Sequence, residues 1–347
     1  MEEVNLDLPH VTILILNRNG WKYTIECLES LYQINYPNYD VIVMDNASTD
    51  GSIQKIKQYC NGEIKIQSKY VQYDPSNKPI AILECTKYNI NKQNFSQNLN
   101  FLFNYPSNKK IQLIINEKDY KYGRGVYIAL NYIIKNIKTD YIFLLNNDTA
   151  VEKGFLIELI KISETSNEIG ILSPRICLYD NPNMNQSKKL QNVKNPIEIH
   201  DFVSGAAYLF KIDLLKTIGL IDPRFIFFTE EKDFCYRALK AGYKIIYVPT
   251  KSRVFHKIGG DTKEITGFRL YHKTRSNLIF KRKHLNNLKF ILFLIRFFVV
   301  TFLRELSRYP KEKIYFVKGV KDSLFFILKD KPLLLGKVYN DINSRHI

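Results

Sequence analysis

Short apolar runs alternate with helix-like patterns along much of the chain. Val11–Leu16, Val41–Met44, 111–115 and 141–145 are apolar and rich in β-branched or bulky residues, as strands buried on both faces are. Helix-like patterns separate these runs, for example over Val126–Ile137. Strands that alternate with helices predict an α/β domain with a mostly parallel sheet.

The alternation is interrupted once and then ends. Residues 68–110 are rich in Asn, Lys, Gln and Ser and lack a strong period, so we predict an inserted surface excursion there. From Lys263 to Leu285 a helical pattern returns, and the last hundred residues are predicted to be mostly helical. We therefore expect an α/β domain over residues 1–260 and a basic, helical region over residues 261–347.

The positive charge of the chain is concentrated near its C-terminus. The 347 residues include 51 Lys and Arg against 34 Asp and Glu, a formal net charge of +17. Residues 251–347 hold 22 of the basic and 7 of the acidic groups, so +15 of the excess lies in this region. A nearly neutral body with a basic end region predicts an anionic partner for that region.

An apolar run within the basic region narrows the choice of partner. Phe290–Leu303 reads "FILFLIRFFVVTFL". It contains Arg296 and is shorter than the roughly 20 residues of a membrane span. Basic residues around such a run favour an interfacial helix on an anionic membrane; the alternative is an ordinary buried helix with a solvated basic face. Nucleic acid is not expected as a partner, because no nucleic-acid-binding motif accompanies the charge.

Cysteine usage and the first residues indicate the compartment. The five cysteines form no CxxC pair and no even set, which argues against a zinc ribbon and against a disulfide framework. The opening "MEEVNLDLPH" is acidic and polar, unlike a signal peptide. We therefore expect a cytoplasmic protein that is peripheral on the inner face of the cell membrane.

Acidic or metal-binding residues stand where several predicted strands end. They are Asp45 in "MDNASTDG", Asp148 in "LLNNDTAV", the cluster 230–233 in "FFTEEKDFC" and His256 in "VFHKIGG". Each has a purely structural alternative: a helix cap, a turn residue, the acidic first turn of a helix, or a structural histidine. Taken together they predict a ligand site at the carboxyl edge of the sheet, where open α/β sheets bind ligands.

The order of these motifs resembles that of family 2 glycosyltransferases, which have the GT-A fold. The resemblance lies in "VTILILNRNG", "YDVIVMDNASTDGS", "LLNNDTAVEKGFL" and the long segment from "FVSGAAYLF" through "FFTEEKDFCYRALKAGY" to "FHKIGG". It runs in order from about Val11 to about Asn277. The Gly-Ala-Ala segment, the acidic motif and the late His-x-x-Gly-Gly most resemble the rhamnosyltransferase-like branch. A GT-A fold, Rossmann-like with a mainly helical C-terminal extension, is therefore expected.

The resemblance implies roles in donor and metal binding. Asp45 matches the residue that contacts the base and ribose of the donor, and Asn17 lies beside it at the end of the first strand. Asp148 matches the last position of the DxD metal motif, with Asn146 at its first. His256 matches a histidine that can complete the metal site. One carboxylate plus an imidazole suits Mn²⁺ or Mg²⁺ bound together with diphosphate oxygens.

The acidic motif implies the catalytic base. Glu231 matches the base position of the family, and Gly205 of the Gly-Ala-Ala segment is expected near the donor. We expect the helix to begin near Lys232, which would leave Glu230 and Glu231 just before it. Asp233 would then lie in the first turn, placed to cap the helix or to pair with Arg237 four residues on.

Two segments depart from the family pattern. The stretch 116–130, "NEKDYKYGRGVYIAL", is bulkier than the Gly- and Asn-rich segment usual after the third strand. Arg124 is a candidate donor contact there, or the donor pocket is reshaped. In "TRSNLIFKRKH", Arg275 is a candidate phosphate contact, with a helix-surface arginine as the alternative.

The sequence thus predicts an inverting, metal-dependent glycosyltransferase. It would move a sugar from dTDP-rhamnose or a UDP-sugar to a hydroxyl of a polysaccharide or lipid-linked glycan. One alternative is a metal-dependent nucleotidyltransferase, which normally needs a basic, Gly-rich loop near its N-terminus; "LNRNGWKYT" is a poor version of it. The other is a non-catalytic nucleotide- or glycan-binding relative.

Overall fold

The computed structural model describes residues 8–86, 94–199, 201–257, 266–302, 304, 307 and 311–329. These residues divide into two compact units. The first unit lies within Met1–Arg224 and Glu230–Gly260, and the second within Phe225–Thr229 and Asp261–Ile347. Phe225–Thr229 thus belongs to the second unit, although no sequence pattern sets it apart.

Thirteen strands of the described residues form two sheets. In chain order they are β1 (Val11–Asn17), β2 (Tyr39–Asp45), β3 (Ala81–Thr86), β4 (Lys110–Ile115), β5 (Tyr141–Asn146), β6 (Thr149–Val151), β7 (Ile169–Ser173), β8 (Ile176–Leu178), β9 (Asn181–Asn185), β10 (Ile197–Glu198), β11 (Ala207–Lys211), β12 (Lys244–Tyr247) and β13 (Val254–His256). The larger sheet has the order β10-β12-β7-β11-β5-β1-β2-β4-β3. Its strands from β5 to β3 are all parallel, and β11 runs antiparallel between β5 and β7. The predicted α/β class with a mostly parallel sheet is confirmed.

Helices cover both faces of the larger sheet. The α-helices of the described residues are α1 (Trp21–Leu31), α2 (Ser52–Cys60), α3 (Phe95–Phe103), α4 (Lys121–Asn136), α5 (Phe155–Ser163), α6 (Ile212–Ile218), α7 (Glu230–Lys240), α8 (Thr266–His284), α9 (Asn287–Arg296) and α10 (Lys313–Lys329). Alternate residues of β1 face opposite ways, because side chains alternate along a strand. Ile13 and Ile15 pack with α1, α2 and α5, whereas Leu14 packs with α3, α4, α6 and α7.

The segment 68–110 differs from the inserted surface excursion that its composition predicts. Its strand β3 pairs in parallel with β4 and forms one edge of the larger sheet. Phe95 and Leu99 of α3 are buried in the core on one sheet face. Polar residues dominate the segment because an edge strand and a covering helix need only one apolar face each.

The smaller sheet has the order β6-β13-β8-β9. Strand β13 pairs antiparallel with β6 and parallel with β8. Each of these three strands has only three residues. Their pairing matters for the site, because it brings the segment just after Asp148 beside the strand that ends in His256.

The second unit is helical in its described residues. Helices α8 and α10 contribute to one small core, formed by Leu278, Phe297, Phe316 and Val320. A π-helix, Phe297–Phe302, continues directly from α9. The predicted helix over Lys263–Leu285 is present as α8, and residues before Thr266 lie outside the described ones. Within the described ranges, every helix is too short or too polar to cross a bilayer.

Candidate active site

The carboxyl ends of β1, β2 and β5 meet at one edge of the larger sheet. The parallel register aligns Asn17 with Asp45 and Leu16 with Asn146. Three of the polar residues that the sequence singles out therefore lie on adjacent strand ends. This edge is also where ligands bind in open α/β sheets.

Asp45 is held in a buried hydrogen-bond network. Its Oδ2 accepts from Asn17 Nδ2 at 2.6 Å, and its Oδ1 accepts from the backbone N–H of Ser48 at 2.8 Å. Thr24 in turn donates to Asn17 Oδ1 at 2.8 Å, which fixes the amide. Asp45 and Asn17 are fully buried. The carboxylate therefore has one orientation, and both of its oxygens are hydrogen-bonded within the protein.

Asp148 and His256 face each other. The distance from Asp148 Oδ1 to His256 Nε2 is 3.2 Å. The register of the smaller sheet pairs Thr149 with His256, and the N–H of Lys257 donates to the carbonyl of Asp148 at 3.0 Å. The two candidate metal ligands are thus brought together by β6 and β13.

Gln186 fixes the orientation of the imidazole. Its Oε1 lies 3.1 Å from His256 Nδ1, and its backbone N–H donates to Ile176 at 2.8 Å, next to β13. A carbonyl oxygen can only accept, so Nδ1 donates to Gln186, and Nε2 faces Asp148. A lone pair and a carboxylate oxygen in contact repel unless a proton or a metal ion lies between them.

Asp148 and His256 form a small donor set for a divalent cation. Within the described ranges, no group of three or more His, Cys, Asp or Glu side chains could hold a metal ion. Asp148 and His256 offer one oxygen and one nitrogen, a set that Mn²⁺ or Mg²⁺ accepts when phosphate oxygens and water supply the other ligands. The pair therefore fits an ion that arrives with a diphosphate.

The acidic cluster lies in the first turn of α7, which begins at Glu230 rather than near Lys232. The expectation that both glutamates precede the helix is wrong, because backbone hydrogen bonding already includes them. Asp233 pairs with Arg237 at 2.8 Å, as its spacing predicts. Arg237 also donates to Leu220 at 2.9 Å, so the pair ties α7 to the chain that follows α6.

Glu230 and Glu231 have different environments. Glu230 is 7% exposed, and the pKa of its carboxyl is raised well above the ordinary value by burial first and by the neighbouring charge of Glu231 second. Glu231 is half-buried and lies beside Gly205. A side-chain carbon added at Gly205 would lie 3.9 Å from Cδ of Glu231. The glycine therefore leaves space next to this carboxylate.

Tyr122, which the sequence did not single out, connects the metal motif to the Gly-Ala-Ala segment. Its hydroxyl lies 3.3 Å from Asn146 Oδ1 and 3.4 Å from the carbonyl oxygen of Gly205. The pKa of Tyr122 is raised by burial first and then by the charges of Glu230, Glu231 and Asp148. The phenol is therefore a hydrogen-bond donor among acidic groups.

Asn46 organises a second group of residues beside Asp45. Its Nδ2 donates to the carbonyl of Lys121 at 2.9 Å, and its Oδ1 accepts from Asn116 at 3.1 Å. Arg18 donates to the carbonyl of Asn46 at 3.1 Å. Ala47 next to it has φ 58°, a left-handed conformation that non-glycine residues keep mainly at constrained sites. Asn46 was not singled out from the sequence. The signal for it was its position directly after Asp45, which ends a strand.

The two arginine candidates differ in burial. Arg124 is exposed in the first turn of α4, where its Nε donates to Pro223 at 3.2 Å. Arg275 lies in the second unit, 7% exposed, with its guanidinium 5.4 Å from the ring centre of Phe326. The alternative of a helix-surface arginine at position 275 is therefore wrong. The ligand roles of both arginines stay predictions.

Comparisons with known proteins identify the family of the chain. The family profile "Glycosyl transferase family 2" matches residues 12–85, and "Glycosyltransferase like family 2" matches residues 99–283, more than half of the chain. A curated relative, "Low-salt glycan biosynthesis hexosyltransferase Agl10" of Haloferax volcanii, is 22% identical over 187 residues. That match covers 50% of this chain and 61% of the relative, so the chain spans less than two thirds of it.

Solved structures share the fold. S. aureus TarS 1–349 in complex with UDP-GlcNAc has a TM-score of 0.54 and 15% identity, over 90% of this chain and 80% of that one. GalNAc-T7 with UDP, GalNAc and Mn²⁺ has a TM-score of 0.50 and 16% identity, over 80% and 51%. The predicted GT-A fold is confirmed. The match over residues 99–283 further establishes that the chain belongs to glycosyltransferase-like family 2.

Proposed function

We propose that the protein is an inverting, metal-dependent glycosyltransferase that uses a nucleotide-sugar donor. The observation that carries the proposal is the contact of Asp148 with His256 at the same sheet edge as the buried Asp45. A nucleotide-binding carboxylate and a paired oxygen–nitrogen donor set at one edge suit a donor with a nucleoside at one end and a diphosphate at the other.

Asp45 and Asn17 would bind the nucleoside. The Asp45 carboxylate is fixed by Asn17 and Ser48 and can accept a further hydrogen bond from a base N–H or a ribose hydroxyl. The rhamnosyltransferase-like motifs suggest dTDP-rhamnose, and the TarS structure with UDP-GlcNAc suggests a UDP-sugar. Both donors are pyrimidine nucleotides, so they should be tested first.

Asp148 and His256 would hold Mn²⁺ or Mg²⁺, the ion expected from the donor set and from the GalNAc-T7 structure with Mn²⁺. When bound, such an ion neutralises the charge of the diphosphate leaving group. Gln186 would keep Nε2 of His256 aimed at the ion by accepting a hydrogen bond from Nδ1. Asn146, held by Tyr122, would lie beside the same phosphates.

Glu231 would take the proton of the acceptor hydroxyl. A sugar hydroxyl is a poor nucleophile at neutral pH, so inverting transfer needs a carboxylate to accept its proton during attack. The raised pKa of Glu230 keeps that carboxyl protonated over a wider pH range. A protonated acid cannot serve as a base, which favours Glu231 over Glu230 in this role. Its position beside Gly205 leaves room for an acceptor.

The acceptor would be a hydroxyl of a polysaccharide or of a lipid-linked glycan. The basic composition of residues 251–347 supports work at the anionic inner face of the cell membrane, in the cytoplasm. A lipid-linked acceptor would be presented at that surface.

The test is a panel of nucleotide sugars with Mn²⁺ or Mg²⁺, scored by release of the nucleoside diphosphate. We expect release with one donor class and its loss on chelation. Release of pyrophosphate from a nucleoside triphosphate and a sugar phosphate would favour the nucleotidyltransferase instead. Binding of donor without turnover, with and without a range of acceptors, would favour the non-catalytic relative.

A further inference from the structure

The outer side of helix α9 is a continuous apolar surface. Leu288, Ile291, Leu292 and Ile295 are 68%, 54%, 57% and 57% exposed. Their spacing of three and four residues places them on one side of the helix. The π-helix that follows continues this surface with Val299, 65% exposed. We call these five residues the α9 stripe.

The opposite side of the same helix is also apolar, and it is packed. Phe290 is buried, and Phe293 and Leu294 pack against the core of the second unit with Phe297. A surface helix normally presents polar residues on the side that faces away from its core. Because α9 has apolar residues on both sides, its outer side is built to contact something other than water.

Basic residues border the stripe. Lys289 and Arg296, seven residues apart and both exposed, lie along one edge of it. Lys281 and Arg282, near the end of α8, lie instead on the packed side of α9, with their charged groups 5.8 and 5.6 Å from the ring centres of Phe293 and Phe290. Residues 266–302 contain eight Lys and Arg and no Asp or Glu. The apolar surface therefore lies in a segment of a single charge sign.

The apolar stripe and the basic residues around it together indicate what binds to this surface. A second copy of the chain would bring the same basic segment against itself, and like charges would repel. A bilayer with anionic headgroups offers acyl chains to the stripe and negative charge to the residues around it. Because the inner side of α9 is occupied by the unit's own core, only the outer side can meet lipid.

We propose that the α9 stripe docks the protein onto an anionic lipid bilayer, with α9 lying in the headgroup region and Lys289 and Arg296 at the lipid phosphates. Lipid binding itself does not require sugar transfer; its use, access to a lipid-linked acceptor, rests on the proposed function.

The experiment is co-sedimentation of the full chain with phosphatidylcholine vesicles, with and without phosphatidylglycerol. We expect binding to the anionic vesicles that weakens as added salt shortens the screening length to below about 10 Å. Ile291→Ser with Ile295→Ser should lower vesicle affinity about 100-fold, since burial of one such side chain is worth about tenfold or more. Ile134→Ser, at a 48% exposed isoleucine of α4, is the matched control and should bind like the unchanged protein.

A charge variant separates the electrostatic contribution to vesicle binding from the apolar one. Lys289→Glu with Arg296→Glu should remove most of the preference for anionic over neutral vesicles. Unchanged affinity in both double variants would overturn the proposal. So would a concentration-dependent dimer in sedimentation that the serine variant abolishes, because the stripe would then bind a second copy.

Failure of this inference and failure of the proposed function give different results. Glu231→Gln should bind anionic vesicles normally, whatever its effect on transfer. Loss of vesicle binding in the stripe variant, with unchanged release of nucleoside diphosphate from the donor when a soluble acceptor is used, supports docking alone. Normal vesicle binding by a protein that turns over no donor would reject the enzyme and keep the membrane surface.

Discussion

The two acidic groups at the sheet edge are held in different ways. Asp45 is fully buried, and both of its oxygens accept hydrogen bonds from the protein. Asp148 is 14% exposed on its side chain, and one of its oxygens faces the imidazole nitrogen of His256. The first carboxylate is satisfied by the fold itself, whereas the second is the oxygen ligand of the proposed cation site. Substitution at Asp45 should therefore cost stability as well as binding, and substitution at Asp148 should cost activity alone.

The largest effect is expected at Asp148. Asp148→Ala should abolish metal-dependent donor turnover, because the oxygen ligand is lost, while the melting temperature stays nearly unchanged. Nucleoside diphosphate release and thermal unfolding measure the two outcomes. Asp180→Ala, at a well-exposed acid after β8, is the control and should retain activity. Full activity of Asp148→Ala in excess chelator would contradict the metal site.

Glu231→Gln should lower transfer about 10²- to 10⁴-fold, the usual contribution of a general base, with donor and metal binding unchanged. Transfer rates and donor affinity from calorimetry are the measurements. Glu230→Gln and Asp233→Asn should cost less in rate, or should affect stability instead. If Glu230→Gln loses transfer while Glu231→Gln does not, the base is the neighbouring residue.

His256→Ala should weaken Mn²⁺ affinity about 10- to 100-fold, a loss comparable to those seen when groups around a metal site are removed. Gln186→Leu keeps the volume but removes the acceptor for Nδ1, so its effect should have the same direction and a smaller size. Titration calorimetry with Mn²⁺ in the presence of a nucleoside diphosphate reports both values without a catalytic assay. Equal affinity in all three proteins would reject a role for the imidazole.

Asp45→Ala should lower the free energy of unfolding by about 1–3 kcal/mol, because it leaves the buried Asn17 amide and the Ser48 N–H without their acceptor. Asp45→Asn keeps the shape and one acceptor and should cost less. Denaturant unfolding measures the difference from Asp148→Ala. If Asp45→Ala and Asp148→Ala are equally stable, the two carboxylates do not differ in their contribution to stability.

The smallest effect is a pH dependence at Glu230. Below its ordinary pKa of 4.5 the carboxyl is protonated in both states, so it carries no penalty. As the pH rises above 4.5, the unfolded chain ionises first, and the folded protein loses stability until its own raised pKa is reached. Glu230→Gln should therefore raise the melting temperature more at pH 7 than at pH 4. The same shift at both values would exclude this cause.

The local pattern of the sequence was enough for the fold class and for most candidate residues. Apolar runs predict the buried strands, and a run that ends in Asp or Asn marks the strand end, because both signals depend on neighbouring residues alone. Asp45, Asp148 and the pair of Asp233 with Arg237 lie where these rules put them. The family motifs add an expected role for each of these residues. The order of the motifs along the chain can be seen without knowing which segments touch.

Tertiary structure decided how distant segments meet. Strands β6, β8 and β13 have three residues each, too few for a recognisable pattern, yet their pairing brings His256 to Asp148 and Gln186 to His256. The edge strand β3 was misjudged for a related reason, because polar composition cannot tell which face packing will cover. Local alternation determines what each segment can form; which segments touch depends on the packing of the whole unit.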